Sequence, residues 1–436
     1  MKRAAFVITL AAGLAACGDR EVLLPGERQD VRPRDALPEI AAASPSAPTA
    51  IALPAQVSLA AWPMRVGDAD NDPGHAALSA APQPVFSTRI GAGDSRRLRI
   101  AADPVTDGRL VYTLDARSSV TASAANGGGV VWSRSLVPAG EREGDAAGGG
   151  LAVVGGTLFA TTGYGRLHAL DAASGAPRWE QRLDAPVTAP KAEGGTVYVV
   201  SRDNRAWALD AATGRIRWDV TATPAAQAMA TAPAPALDGR LVVLPFASAE
   251  VVAATRDDGI RAWGAAISGE RRGVAYNDVG DITGDPVVTG GTVYAGTANG
   301  RIVSIDAATG ARNWTAFEGA VSPMAVAGGS LFAVSDRNQL LRLDAASGAV
   351  VWRQDLPFFR ARRLARRKGV TAHHGPVLAG GRLWVAGSDG QLRGFDPASG
   401  AQTAALPLPG GAASRPIVAG GVMYVVSRSG VLHAYR

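Results

Sequence analysis

Ala169-Leu170-Asp171-Ala172-Ala173-Ser174-Gly175-Ala176-Pro177-Arg178-Trp179 is the stretch from which the fold can be read. Nearly the same words return as ALDAATGRIRW (Ala208 to Trp218), SIDAATGARNW (Ser304 to Trp314) and RLDAASGAVVW (Arg342 to Trp352). Asp and Trp are eight apart each time. A Gly-Gly pair begins sixteen residues before each Asp, at Gly155, Gly194, Gly290 and Gly328, and Gly380 stands in the same relation to Asp396. Offsets that do not drift mark a repeat architecture, in which each unit buries its apolar face against its neighbours.

Each unit reads as four short antiparallel strands. The first begins near a proline such as Pro286 or Pro376 and runs to the Gly-Gly turn; an alternating second strand follows, as at Val293 and Ala295. Asn299-Gly300, Asp389-Gly390 and Ser429-Gly430 supply the positive φ of the next tight turn. The third strand ends in Leu-Asp or Ile-Asp, where the carboxylate can accept hydrogen bonds from the turn that Gly175, Gly214, Gly310 or Gly348 closes. Trp then opens the outer strand, with a ring large enough to fill the wedge between sheets.

Divergent units complete the count. Blade 1 keeps Asp107-Gly108 and Trp132 but has Ala124 at the Asp place; blade 4 keeps Gly259 and Trp263 but has Thr255 there; blade 7 has Ala404 for Trp. The eighth Gly-Gly, Gly420-Gly421, puts its Asp place at Arg436, so that blade lacks an outer strand. Pro84 to Ile90 (PVFSTRI) parallels Val130 to Leu136 (VVWSRSL), with Phe86 in the Trp place, and supplies it. The expectation is an all-β, eight-bladed β-propeller closed by an N-terminal strand, with about 44 residues per blade and no open sheet edge along the ring.

Composition agrees: 47% of the 436 residues are hydrophobic and 19% charged, enough to bury a core, and 53 Gly and 27 Pro suit many turns. Of 44 basic residues only Lys2, Lys191 and Lys368 are lysines, which leaves few candidates for lysine chemistry, and one cysteine excludes an intrachain disulfide or a Cys-based zinc site. The net charge of +6 is read as an Arg-rich solvated surface.

The N-terminus reads as an export signal. Lys2 and Arg3 precede the apolar run Ala4 to Leu14, too short to span a bilayer, and Leu14-Ala15-Ala16-Cys17 resembles a bacterial lipobox whose cysteine is lipidated. Residues 1–17 are therefore expected to be a lipoprotein signal peptide, 18–60 a disordered Ala/Pro-rich tether and 61–436 the propeller. Gly18, rather than Asp, after Cys17 points to the outer membrane under the lipoprotein sorting rule.

The Asp-x-x-[Ser/Thr]-Gly-x-x-x-Trp words resemble the tryptophan-docking motifs of pyrroloquinoline-quinone-like propellers, a superfamily of enzymes and non-enzymes. Lipobox, tether and a single eight-bladed propeller, opened by Trp62-Pro63, together resemble the BamB family of outer-membrane β-barrel assembly lipoproteins. That resemblance implies a scaffold with no catalytic residue, cofactor or metal, lipid-anchored on the periplasmic face of the outer membrane. It would bind the periplasmic POTRA domains of BamA alongside other assembly subunits and assist insertion of unfolded outer-membrane clients. Carried over by position, the loop before blade 4 keeps Met229, with Ala230 where the family has Arg. The loop before blade 5 keeps Asp281, with Thr283 where the family has Asp. Arg271, Arg272 and Asp278 are nearby charged candidates for the same contact.

Two other readings stay open. One is a different envelope-binding propeller, for peptidoglycan, polysaccharide or protein, which an exposed aromatic platform including Trp207 or Trp384 would favour. The other is a quinoprotein dehydrogenase, disfavoured by chain length and by the want of an adjacent-cysteine pair or a Ca²⁺ ligand run. His75, His168, His373, His374 and His433 show no metal-binding spacing, and the Gly-rich stretches lack the Lys-Ser/Thr of a phosphate loop. One segment lies outside the repeat: between blades 6 and 7 the Gly-Gly spacing lengthens from 38 to 52 residues to admit Phe358-Phe359-Arg360-Ala361-Arg362-Arg363-Leu364-Ala365-Arg366-Arg367-Lys368. It is compatible with a short basic helix, and its six basic residues suit an anionic membrane or an acidic partner, nucleic acid being out of place in the periplasm.

Overall fold

The computed structural model describes residues 50–224, 233–267, 281–360, 363, 367 and 369–436. Among them are eight four-stranded antiparallel sheets and no helix. Blades 1 to 7 are each built from consecutive strands. In blade 2 these are Gly149–Val154, Thr157–Thr162, Arg166–Asp171 and Pro177–Arg182, from the innermost to the outermost. Blade 8 takes Ile417–Ala419, Val422–Ser427 and Val431–Tyr435 from the end of the sequence and Pro84–Arg89 as its outer strand, paired Phe86 to Ala434 and Arg89 to Val431. The expected closure is present.

The repeated word does the work its chemistry allows. Asp171 Oδ1 accepts the Ser174 amide at 3.0 Å and its hydroxyl at 2.8 Å, and Asp210, Asp306, Asp344 and Asp396 repeat both bonds. Blade 4 exchanges the partners: Thr255 donates its hydroxyl to Asp258, so the place that lacks Asp keeps the bond with the roles reversed. Each Trp indole then donates across the wedge to the carbonyl after the next blade's Asp place. Trp132 reaches Ala172 at 3.0 Å, Trp179 reaches Ala211 at 3.0 Å and Trp263 reaches Ala307 at 2.8 Å. The turn glycine lies flat on that ring; at Gly175, where φ is +71°, a Cβ would stand 2.6 Å from Trp132 Cε3. Only glycine satisfies both the angle and the approach.

Two departures in the word now have causes. Phe86 packs against Gly128 as a Trp would but has no N–H, and Ala125 O keeps only the tyrosine bond, from Tyr424 Oη at 3.1 Å, that Tyr112 and Tyr294 make beside a Trp in other blades. Ala404 faces blade 8, whose third and outer strands come from distant parts of the chain with no turn between them, so a ring there would have nothing to dock on.

Some expectations shift. The inner strands of blades 5 and 7 begin before their prolines, at Ile282 and His373, and the ladder is irregular between Gly284 and Val287 and between His374 and Val377. A proline without an N–H is tolerated at such a bulge. Residues 50–60, grouped with the tether by composition, lie against the blades: Gly420 donates to Leu59 O at 2.7 Å and Val57 to His75 O at 2.8 Å.

Candidate functional site

An up-and-down blade places the Gly-Gly and Asp turns at one end of the ring, and the turns between second and third strands plus the blade-to-blade connections at the other. The innermost strand of every blade has one edge free of its own sheet. Residues 50–80 use those edges. Trp62 and Thr106 of blade 1 exchange both backbone bonds at 2.9 Å; Val153 of blade 2 donates to Pro63 O, Leu237 of blade 4 to Ala69 O and Val288 of blade 5 to Asp70 O. Ala76 bonds Leu378 and Gly380 of blade 7. The N-terminal segment is thus an arm laid across the Gly-Gly end of the channel.

Charge pins it there. Arg65 Nε donates to Asp285 Oδ1 at 2.8 Å, and its Nη1 lies 3.8 Å from Asp103 Oδ2. Asp285 is fully buried and also accepts the Ala234 amide at 2.5 Å. Asp103 accepts the Arg415 amide at 2.8 Å, and Arg415 Nη2 donates to Pro376 O at 3.0 Å. Burial opposes the charge of Arg65, but Asp285 and Asp103 outweigh it and hold the guanidinium above its ordinary range; Arg415, where burial prevails, is lowered to about 10. Lys191 of blade 3 is fully buried and donates to the carbonyls of Arg65, at 2.5 Å, and Asp68. Burial pushes its ammonium down and the Asp68 carboxyl up. Asn71 Nδ2 bridges Pro235 O and Pro286 O at 3.1 and 2.8 Å, joining blades 4 and 5. An ammonium on a compact, rotatable head can reach two carbonyls in so small a space, which a planar guanidinium does poorly, and this accounts for a lysine in an Arg-rich chain.

What remains open beside Arg65 is a cleft of about 20 Å³ bordered by Gly149, Thr188 and Arg202, room for a water and far too little for a tricyclic quinone. Trp207 and Trp384 are 2% and 0% exposed and form no platform. No group of acidic, His or Cys side chains with metal-binding geometry occurs among the described residues.

Of the partner candidates only Asp281 is among the described residues, at the other end of the ring. Met229, Arg271, Arg272 and Asp278 lie outside the described residues, as do Cys17, Arg362, Arg366 and Lys368. Asp281 is 4% exposed where it leads into the inner strand of blade 5, and Thr283 Oγ1 donates to Ala320 O, tying this connection to the next one. Arg360, Arg363 and Arg367 are exposed. Most of the stretch compatible with a short helix lies outside the described residues; at its base Phe359 and Val370 form a bridge. The arm hub of Arg65, Asp103, Lys191, Asp285 and Arg415 was not foreseen. A signal existed: Asp103, Asp285 and Arg415 each stand directly before the proline that opens a blade.

A model of the family described as outer membrane protein assembly factor BamB matches residues 116–354 and 343–436. The chain belongs to the BamB family. It is 28% identical over 361 residues to the outer membrane protein assembly factor BamB of Salmonella typhimurium strain LT2, covering 81% of this chain and 88% of that one. In structure it resembles BamB from Moraxella catarrhalis, with a TM-score of 0.66, 19% identity and coverage of 82% and 100%. A quinohemoprotein alcohol dehydrogenase from Pseudomonas putida HK5 follows at 0.65 and 13% identity, covering 86% and 80%, so the fold is shared across BamB and quinoprotein enzymes. In this BamB-family chain the arm of residues 50–80 occupies the Gly-Gly end of the channel.

The buried histidines give the propeller a pH dependence. Burial first, then the charges of Arg166 and Arg134, lower His168 to about 4, although Glu180 lies 3.3 Å from its Nδ1. The unfolded chain takes this proton near pH 6.5 and the folded chain only near pH 4, so the contribution is full above 6.5 and drains away as pH falls between those values. The expected loss at pH 4 is about 3 kcal/mol from this residue. Urea unfolding of His168→Gln, which should flatten that part of the profile, measures it; an unchanged profile would refute the assignment.

Proposed function

We propose that the protein is a non-catalytic scaffold of the outer-membrane β-barrel assembly machinery, held by a lipid at Cys17 on the periplasmic face of the outer membrane. Membership of the BamB family carries this reading. The channel chemistry fits this reading: Arg65, Asp285 and Lys191 are spent on holding the arm. The scaffold engages BamA's POTRA domains through the connections before blades 4 and 5, with Met229 as apolar contact and Arg271, Arg272 and Asp278 as charged ones. Asp281, being buried, acts by positioning that second connection. Exposed loops and strand edges offer clients main-chain pairing without sequence demands.

Calorimetric titration of the chain from Gly18 with the POTRA domains of BamA from the same organism tests the assignment. Saturable binding, weakened at least about tenfold by Met229→Asp, is expected, since a charge in an apolar contact costs more than the about 1.4 kcal/mol this represents. Absence of binding would overturn it.

A further inference from the structure

Among the described residues twelve large apolar side chains are exposed, and five of them sit in two neighbouring connections, residues 317–324 between blades 5 and 6 and residues 356–372 between blades 6 and 7. Phe317, Val321, Phe358, Phe359 and Val370 are the five, and they include every phenylalanine in that exposed set. The remainder are scattered over outer strands, the end of the inner strand of blade 2, one turn and the arm, where single exposed apolar residues need no explanation. Both connections are tied to blade 6. Arg353 Nη2 meets Glu318 Oε1 at 2.7 Å, the Gly319 amide donates to Asp336 Oδ1 at 3.1 Å, and Asn338 Nδ2 donates to Thr371 O at 2.9 Å.

The second connection has a built stem. Phe359 bridges Val370, the Arg360 amide donates to Gly369 O at 3.0 Å and the Thr371 amide to Phe358 O at 2.8 Å, which holds the Phe358 and Phe359 rings 4.7 Å apart outside the core. Guanidiniums lie over the rings, Arg367 at 5.1 Å from Phe359 and Arg301 at 4.6 Å from Phe317. Leu356 to Thr371 contains six basic residues and no acidic one, and the acid of the other connection, Glu318, is buried against Arg353.

We propose that the described side chains of these connections, the five apolar ones with Arg360, Arg363 and Arg367, form a membrane-contact surface that takes the anionic headgroups of a lipid bilayer. Aromatic rings carried on a stem with arginines of one sign around them fit the interface of a bilayer, where rings settle at the headgroup level and cations meet anionic lipid. Charge complementarity selects this occupant: a run of one sign with no acid to set a register matches a continuous negative surface better than the mixed charges of a protein face. The inference stands apart from the scaffold reading, since it uses neither Met229 nor any partner.

The test is flotation of the chain from Gly18, which lacks Cys17, with vesicles of phosphatidylcholine or phosphatidylglycerol at low salt. Preferential binding to phosphatidylglycerol of at least about tenfold is expected, declining as salt rises. Phe358→Ser with Phe359→Ser, and separately Arg363→Gln with Arg367→Gln, should each lower it several-fold; all four side chains are exposed, and an unchanged thermal midpoint verifies folding. Phe358→Trp adds a direct report, with a blue-shifted emission on phosphatidylglycerol vesicles. Equal binding to both lipids, no emission shift, or vesicle binding indifferent to the Phe pair would overturn the proposal. The last result, coupled with capture of a soluble acidic polymer, would point to an acidic protein instead.

Discussion

Arg65→Met is expected to lower the stability of the propeller by about 3–5 kcal/mol, the cost of leaving a buried ionic partner uncompensated. Asp285 is fully buried, and Arg65 Nε lies 2.8 Å from one of its carboxylate oxygens and 3.0 Å from the other. Methionine fills most of the volume but brings no charge, so Asp285 would keep only the Ala234 amide. Asp285→Asn in the same chain should recover part of the loss, because it removes the orphaned charge; a double-mutant cycle then yields the coupling between the two. Urea midpoints supply the numbers. A loss below about 1 kcal/mol would place the pair in the range of exposed ion pairs, and the arm would then be held by its backbone bonds alone. Limited proteolysis gives a second readout, since a loosened arm should be cut between residues 50 and 80 before any blade is.

The ring was legible because its rule is local. Asp171 to Trp179 carries turn, cap and wedge ring within nine residues, and the same word returns often enough that Ala124, Thr255 and Ala404 stand out as departures. Even the closure could be read, since Phe86 falls in the Trp place of a segment with no blade of its own. The arm was not legible, because its partners are far apart in sequence: Arg65 meets Asp285 across 220 residues, and nothing in the charge pattern around either announces the other. Alternation was a poor guide there too, for an arm that takes one or two backbone bonds from a blade and moves on has neither strand nor helix period. The residue before the opening proline is where the signal lay. Blades 3, 4 and 7 put Ala or Gly at that place, in Ala189-Pro190, Ala234-Pro235 and Gly375-Pro376, whereas Asp103, Asp285 and Arg415 put charge at the channel. Three charges at one repeat position, all near a central cation, require a partner from outside the repeat. Asp281 shows the opposite limit. Its match to the family marks it as a contact candidate, and the pattern does not announce that its side chain is only 4% exposed.

Two truncations should separate the functions of the N-terminal chain. A chain that begins at Ile90 loses the outer strand of blade 8, leaving Val431–Tyr435 as an open edge and Gly128 without the Phe86 ring, so blades 1 and 8 are no longer joined through a shared sheet. A ring with one unclosed blade exposes apolar surface along the whole junction, and the expected result is loss of a cooperative transition together with aggregation. A chain that begins at Gln83 keeps that strand and should fold with a cooperative but lower midpoint. It forfeits the burial of Trp62, Met64, Val66 and Ala76 and the arm's bonds to the inner strands, while water entering the emptied channel solvates Asp103, Asp285 and Lys191 and softens the electrostatic cost. A synthetic peptide of residues 50–80 added to this shorter chain should raise the midpoint in proportion to the logarithm of its concentration, as a ligand that binds only the folded state must. A peptide carrying Arg65→Met should do so only at much higher concentration. If the chain from Gln83 were as stable as the chain from Gly18, or if the peptide had no effect, the arm would be a passenger on a ring that stands without it.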